Sequence, residues 1–355
     1  MRDTLVFIVP GDPNQRTGGY LYDARIVAEL RKLGRNVQVI GLEGRFPQAC
    51  ATARQAMDGC LGDLSDGAAV VIDGLALGGL PAVVESHAQR LNIAALVHHP
   101  LADETGIESE QARQLLVSER RALAACGRVI VTSAFTARRL KALNLYSGAA
   151  FVVEPGVDPA ASAPAAEHMA AGQTPAGALN ILCVASLTPR KGHAILFSAL
   201  DQLSQHNWQL TIVGSEKRAP DHAGKLRRQL EGSQINHRID WLGELDEQAL
   251  ADAYRQASLC VVPSLYEGFG MVVTEALARG LPLISTTGGA LADTVPDDGA
   301  LKVRPGDVDE LAAALASFLT DAELRARLCR AALAKRNQIH TWTDAGRAFV
   351  QALGQ

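Results

Sequence analysis

The 355-residue sequence holds no apolar stretch of about 18 residues, so no segment is expected to cross a bilayer as a helix. Nothing ahead of the first strand reads as a signal peptide, and a cytoplasmic chain is expected. No run of like charges stands out, and the net charge is −4; both argue against nucleic acid as a partner. There is no CxxC pair. Cys50, Cys60, Cys126, Cys183, Cys260 and Cys329 are scattered, several of them in apolar runs, which argues against a zinc site and for reduced thiols. No G-x-G-x-x-G follows the first strand, no Asp-x-Asp metal motif appears, and there is no internal repeat. What is present is ordinary for a globular protein: 48% hydrophobic and 20% charged residues, over a length that suits two domains.

Apolar strand-like runs alternate with longer helical patterns. Leu5–Val9, Val37–Ile40, Val70–Ile72, Ile93–Val97, Arg128–Thr132 and Ala149–Val153 form one set. Ile181–Val184, Gln209–Val213, Ile239–Leu242, Leu259–Val262, Pro282–Ser285 and Leu301–Val303 form the other. The alternation predicts an α/β protein with two doubly wound parallel sheets. Asp158–Ala178 is rich in Ala, Pro and Gly without periodicity and reads as a linker. The expected domains are 1–160 and 179–341, joined by 161–178, with helices over Asp321–Gln338 and Trp342–Leu353 following the second sheet.

The richest stretch runs from Pro263 to Pro282. The strand Leu259–Val262 passes through Glu267-Gly268-Phe269-Gly270-Met271 into a helix that carries Glu275 and stops at Gly280. Glycine lets the backbone approach a ligand closely. The first helical turn aims bare N–H groups and the positive end of the helix dipole above the strand. Glu275, one turn in, leans back toward that end. Glu267 sits on a loop at the carboxyl end of a strand, where open α/β sheets place ligand residues. Taken alone, each glutamate reads as a solvated charge; together they suit an anionic, hydroxyl-rich ligand.

The Glu267 to Glu275 spacing, two glutamates with seven residues between them, resembles the signature of retaining glycosyltransferases of family 4 (group 1 glycosyltransferases, GT-B fold). Other segments extend the resemblance over nearly the whole chain. Gly18-Gly19 before a helix is similar to the family's paired glycines, an amide nest for an anion. Ala185-Ser186-Leu187-Thr188-Pro189-Arg190-Lys191-Gly192 matches the family's lysine and glycine, but Ser186 stands where an arginine is usual. Either Arg190 supplies that charge, or diphosphate binding leans on Lys191, a point charge without arginine's two-pronged grip. His98-His99 ends the fourth strand, where the family has a sugar-facing histidine; His99 aligns best and His98 is the reserve. Val129–Ser133 and Glu154-Pro155-Gly156-Val157-Asp158 are similar to fold markers of the family.

The resemblance implies two Rossmann-like domains facing across a cleft, the first on the acceptor side with the final helix, 342–355, crossing back onto it, and the second binding the nucleotide sugar. It implies an enzyme of hexosyltransferase type that moves a sugar from a nucleoside-diphosphate sugar to a hydroxyl acceptor with retention. His99 and Glu267 would be catalytic. Gly18, Gly19, Arg190, Lys191, Gly268, Phe269, Gly270, Met271 and Glu275 would bind the donor, Glu275 at the ribose. His98 and Phe46 are acceptor-side candidates. No cofactor and no metal ion are expected, the donor being a substrate, a UDP- or GDP-sugar. The acceptor is unassigned, and monomer and dimer both stay open. Arg113, Arg120, Arg121, Arg138, Arg139 and Lys141 form a basic sector that leaves a peripheral membrane contact open, though solvated helix faces explain it as well. Two other readings remain. One is a different GT-B sugar enzyme, a phosphorylase or a nucleotide-sugar epimerase. The other is a non-catalytic nucleotide-sugar binding protein.

Overall fold

In a computed structural model, which describes residues 4–173 and 177–354, the chain divides into two compact units. The first comprises Met1–Gly156 and His340–Gln355, the second Val157–Ile339. Each is built on a parallel sheet of six strands.

In the first unit the strands are β1 (Leu5–Pro10), β2 (Val37–Leu42), β3 (Ala69–Asp73), β4 (Asn92–Val97), β5 (Arg128–Val131) and β6 (Phe151–Val152). Their order is β2-β1-β3-β4-β5-β6. Residues Leu5 to Pro10 are all buried, as a strand covered by helices on both faces requires. β6 is shorter than the expected Ala149–Val153, because it is an edge strand whose Phe151 and Val152 stay exposed and which pairs only with β5.

The second unit holds β7 (Leu179–Val184), β8 (Trp208–Val213), β9 (Ile239–Gly243), β10 (Leu259–Val262), β11 (Leu283–Thr286) and β12 (Ala300–Val303), in the order β12-β11-β10-β7-β8-β9. The strand order reverses between β1 and β3 in the first sheet and between β7 and β10 in the second. Such switch points open a crevice at the carboxyl ends of the strands, where ligands bind in sheets of this kind. The loops after β7 and β10 carry Arg190, Lys191 and Glu267; the loop after β1 leads into the helix that opens with Gly18 and Gly19, and the loop after β4 begins with the two histidines.

Residues 161–178, expected as a linker, are partly core. Pro164–Ala170 forms a helix with proline in its first turn, and Ala163, Ala166 and Met169 are buried in the second unit's core. The helix packs on Ala322–Lys335. Its small residues gave no periodic signal, yet they are what lets it approach closely; 174–176 lie outside the described residues. The boundary between the units falls at Gly156, where a Cβ would lie 2.2 Å from the Trp342 nitrogen.

The helix Trp342–Ala352 starts in a capping box, with Thr341 and Asp344 each satisfying the other's backbone N–H. It packs in the first unit on the helix Gly18–Lys32, and fully buried Phe349 sits 6.4 Å from the Phe7 ring. Truncating Phe349 to alanine would cost about 3–5 kcal/mol. All six cysteines are free. No helix among the described residues is long and apolar enough to cross a membrane.

Candidate active site

In the second unit, the chain leaves β7, makes a 3-10 turn at Pro189–Lys191 and enters the helix His193–Asp201. Gly192 joins the two with φ +70°, and a Cβ there would lie 2.0 Å from the Pro263 carbonyl oxygen. Only glycine lets this loop close on the end of β10. The closure is sealed by Leu265 N–H donating to the Arg190 carbonyl at 2.7 Å.

The side chains then converge. Lys191 Nζ is 2.5 Å from Glu267 Oε1, and Arg190 Nη1 is 3.2 Å from Glu267 Oε2 while also donating to the Tyr266 carbonyl at 2.8 Å. Ser264 Oγ donates to Glu267 Oε1 at 2.7 Å. The Glu267 backbone is pinned by a parallel bridge to Gly289, with Ala290 N–H donating to the Glu267 carbonyl at 2.8 Å. Burial by itself would raise the Glu267 carboxyl, but Lys191 and Arg190, with the Lys191 and Ser264 hydrogen bonds, outweigh it and hold it at about 2. Glu267 is therefore ionised at neutral pH and cannot serve as a proton donor there. One carboxylate against two cations leaves a net positive charge at the switch point, which suits an anion.

Beside it, the helix Met271–Ala278 begins at Gly270, whose φ of +91° is left-handed. No side chain caps this helix and no acidic residue lies in its first turn, so its N-terminal amides and dipole face the loop. Phe269 and Gly268 are buried, while Met271 is half-buried. Glu275 is half-buried and receives the Tyr254 hydroxyl at 2.7 Å. Tyr254 is fully buried; burial first, then Glu275, pushes its phenol well above the ordinary value, which keeps it a hydrogen donor. Arg279 stacks over the Tyr254 ring at 4.4 Å and donates to the Glu275 carbonyl at 2.9 Å.

In the first unit, Gly18 and Gly19 are the first two residues of the helix Gly18–Lys32, and Thr17 gives that helix no side-chain cap. A Cβ on Gly19 would lie 3.3 Å from His98 Cδ2, so the glycine lets the helix start lie against the imidazole. His98 Nε2 is 3.1 Å from Asp23 Oδ1 and 3.2 Å from Asp73 Oδ2, both carboxylates buried. Burial by itself would lower the imidazole; Asp23 and Asp73 outweigh it and hold it at about 10. Burial raises the Asp23 carboxyl to about 6, against the pull of His98. The Thr132 and Thr136 hydroxyls donate to the His98 carbonyl at 3.2 and 3.3 Å. His99 turns elsewhere, its Nε2 3.5 Å from Glu104 Oε2. Phe46 is half-buried and packs on the first unit's core.

Residues 164–335 match the glycosyl transferases group 1 family. The matched segment takes in Arg190, Lys191, Glu267 and Glu275. A D-inositol 3-phosphate glycosyltransferase of Kineococcus radiotolerans is 30% identical over 261 residues, 66% of this chain and 59% of that protein. The chain spans about half the length of the curated relatives it matches. A sucrose-phosphate synthase from Thermosynechococcus elongatus superposes with a TM-score of 0.82 at 22% identity, over 99% of this chain and 98% of that one. An Anabaena protein solved with UDP and glucose gives 0.76 at 18% identity over 99% of each chain. At these identities the likeness shows the fold, which is GT-B: two Rossmann-like α/β units.

Several residues around this site and the histidines carried no sequence signal. Ser264 and Tyr254 reach Glu267 and Glu275 from other elements. Asp73 ends β3, a position open to suspicion, but Asp23 lies inside a helix with nothing to mark it. His193, next to Gly192, is fully buried with neither ring nitrogen hydrogen-bonded, and burial, then Lys191 and His222, lower it to about 3. Asp307-Val308-Asp309 spells Asp-x-Asp, yet it starts a helix: Asp307 caps the Glu310 N–H and Asp309 accepts from Gln202.

Proposed function

We propose that this protein transfers a sugar from a nucleoside-diphosphate sugar to a hydroxyl acceptor, with retention and without a metal ion. The observation that carries the reading is the Lys191–Glu267–Arg190 cluster at the second sheet's switch point, beside the uncapped helix Met271–Ala278 and inside the segment matching group 1 glycosyl transferases. In this reading the donor's diphosphate meets Lys191, Arg190 and the amides after Gly270. Glu275, oriented by Tyr254, receives the ribose hydroxyls, and Glu267 the hydroxyls of the transferred sugar. Negative charge builds on the diphosphate as it leaves, and cations fixed in place before the reaction stabilise that charge without reorganising.

Arg190 takes the place of the arginine absent at Ser186. Its guanidinium meets the same carboxylate as Lys191, so both cations share one location. Of the two histidines, the reading assigns the sugar-facing role to His98, the one against Gly19, in preference to His99, which faces Glu104. The Anabaena neighbour holds UDP and glucose, which makes a UDP-sugar the first donor to try and a GDP-sugar the second.

The deciding experiment is a thermal-shift screen with UDP-, GDP-, ADP- and TDP-sugars, followed by NMR of the product formed from the stabilising donor. A ligand that binds only the folded state raises the unfolding midpoint. Stabilisation by none of them, or a product of inverted configuration, would refute the reading.

A further inference from the structure

The first unit buries two carboxylates, Asp23 on the helix Gly18–Lys32 and Asp73 at the end of β3, and brings one oxygen of each within 3.2 Å of the same ring nitrogen, His98 Nε2. Among the described residues, neither carboxylate meets a lysine or arginine. Their other polar contact is the Leu75 N–H, which caps onto Asp73 at 2.8 Å. Tyr22 lies edge-on to the ring at 5.4 Å. Asp23 and Asp73 are thus the charged groups that face His98, and His98 is the cation that faces them.

A ring nitrogen that two ionised carboxylate oxygens approach together carries a hydrogen, since a lone pair there would be repelled by both. If the ring were neutral, the pocket would hold two uncompensated negative charges; the imidazolium leaves one. Removing charge from water without a partner is costly, so the charged ring is the cheaper state. Nε2 is taken up by the two carboxylates, and the helix start lies close by, since a Cβ on Gly19 would come within 3.4 Å of that atom. Nδ1–H is left as the donor the ring can offer a ligand.

We propose that Asp23 and Asp73 are positioning residues that hold His98 as an imidazolium, a fixed cationic N–H donor for an acceptor oxygen and not a base. His98 then contributes charge and direction, and takes no proton from an attacking hydroxyl. The two carboxylates hold the imidazole above its ordinary value against the effect of burial, which agrees with this. The clamp stands on this unit's geometry alone; only its use on a sugar or phosphate oxygen rests on the proposed function.

The test is NMR of the full chain labelled with nitrogen-15 in histidine, the His98 signals identified by their loss in His98→Gln. His98 is expected to keep the imidazolium shift through pH 8, while exposed histidines titrate near about 6.5. Asp73→Asn and Asp23→Asn should each bring its midpoint down by about 1–3 pH units, the range for loss of an opposite charge in contact. A His98 midpoint at or below the ordinary value in the intact protein would overturn the proposal, whether or not the variants fold. So would stoichiometric loss of the Nε2–H signal on adding zinc, because the three groups lie close enough to ligate one ion. If His98 stays charged and no nucleotide sugar binds or reacts, the clamp stands and glycosyl transfer falls.

Discussion

Lys191 Nζ lies 2.5 Å from Glu267 Oε1, although the two residues belong to different loops. The contact turns separate ligand groups into one prearranged unit, in which Glu267 orients the cations and they keep it ionised. Replacing Lys191 by alanine should raise the donor KM roughly tenfold or more, about 1.4 kcal/mol of binding. Glu267→Ala should lower kcat by about 10²–10³-fold, and it should also destabilise the second unit on the order of 3 kcal/mol by leaving buried charges unpaired. Steady-state kinetics and thermal unfolding check both. Unchanged donor KM in Lys191→Ala would remove the diphosphate role.

Tyr254 is expected to act through Glu275. Tyr254→Phe keeps the ring under Arg279 and removes one hydrogen bond to a charged group, worth about 1.5–3 kcal/mol. The donor KM should rise about tenfold with kcat nearly unchanged. A fall in melting temperature with no change in KM would mark the tyrosine as structural only.

The two histidines separate by mutation. His98→Ala should lower kcat about 10²-fold, whereas His99→Ala, whose imidazole faces Glu104, should stay within about threefold of the intact protein. Equal losses in both would contradict the assignment. Activity should survive excess EDTA; loss restored by a divalent ion would overturn metal independence.

Stability should depend on pH in opposite senses in the two units. Glu119, buried on the helix Ser109–Ala124, accepts from the Leu101 N–H at 3.1 Å just beyond the histidines, while its other oxygen has no partner. Burial raises it to about 8 from 4.5, so the folded state holds this proton more tightly than the unfolded chain. Its contribution is whole below pH 4.5 and declines as the pH rises to about 8. Glu119→Gln should flatten that decline in melting temperature between pH 5 and 8. His193 is lowered to about 3 from 6.5, so its contribution is whole above pH 6.5 and is lost as the pH falls toward 3. Acid should therefore weaken the second unit through His193, and alkali the first through Glu119.

The strands, the glycine turn and the spacing of Glu267 and Glu275 were legible in the chain because each follows from local chemistry. Apolar runs of strand length mark buried parallel strands, and a helix that opens after Gly270 and ends at Gly280 announces itself by its backbone needs. The short helix Pro164–Ala170 was not legible, since an alanine-rich segment acquires an inward face only when a neighbour covers it. Nor was the pairing of charges. That Arg190 and Lys191 meet Glu267, 76 residues beyond Lys191, depends on two loops meeting at a switch point. That His98 and not His99 is clamped depends on a helix and a strand end that place Asp23 and Asp73 on the same atom. The order of residues along the chain sets which elements form and which chemical groups are available. Tertiary structure decided which groups are partners and hence which carry charge, because ion pairing and desolvation act across space over a few ångströms, whatever the separation along the chain.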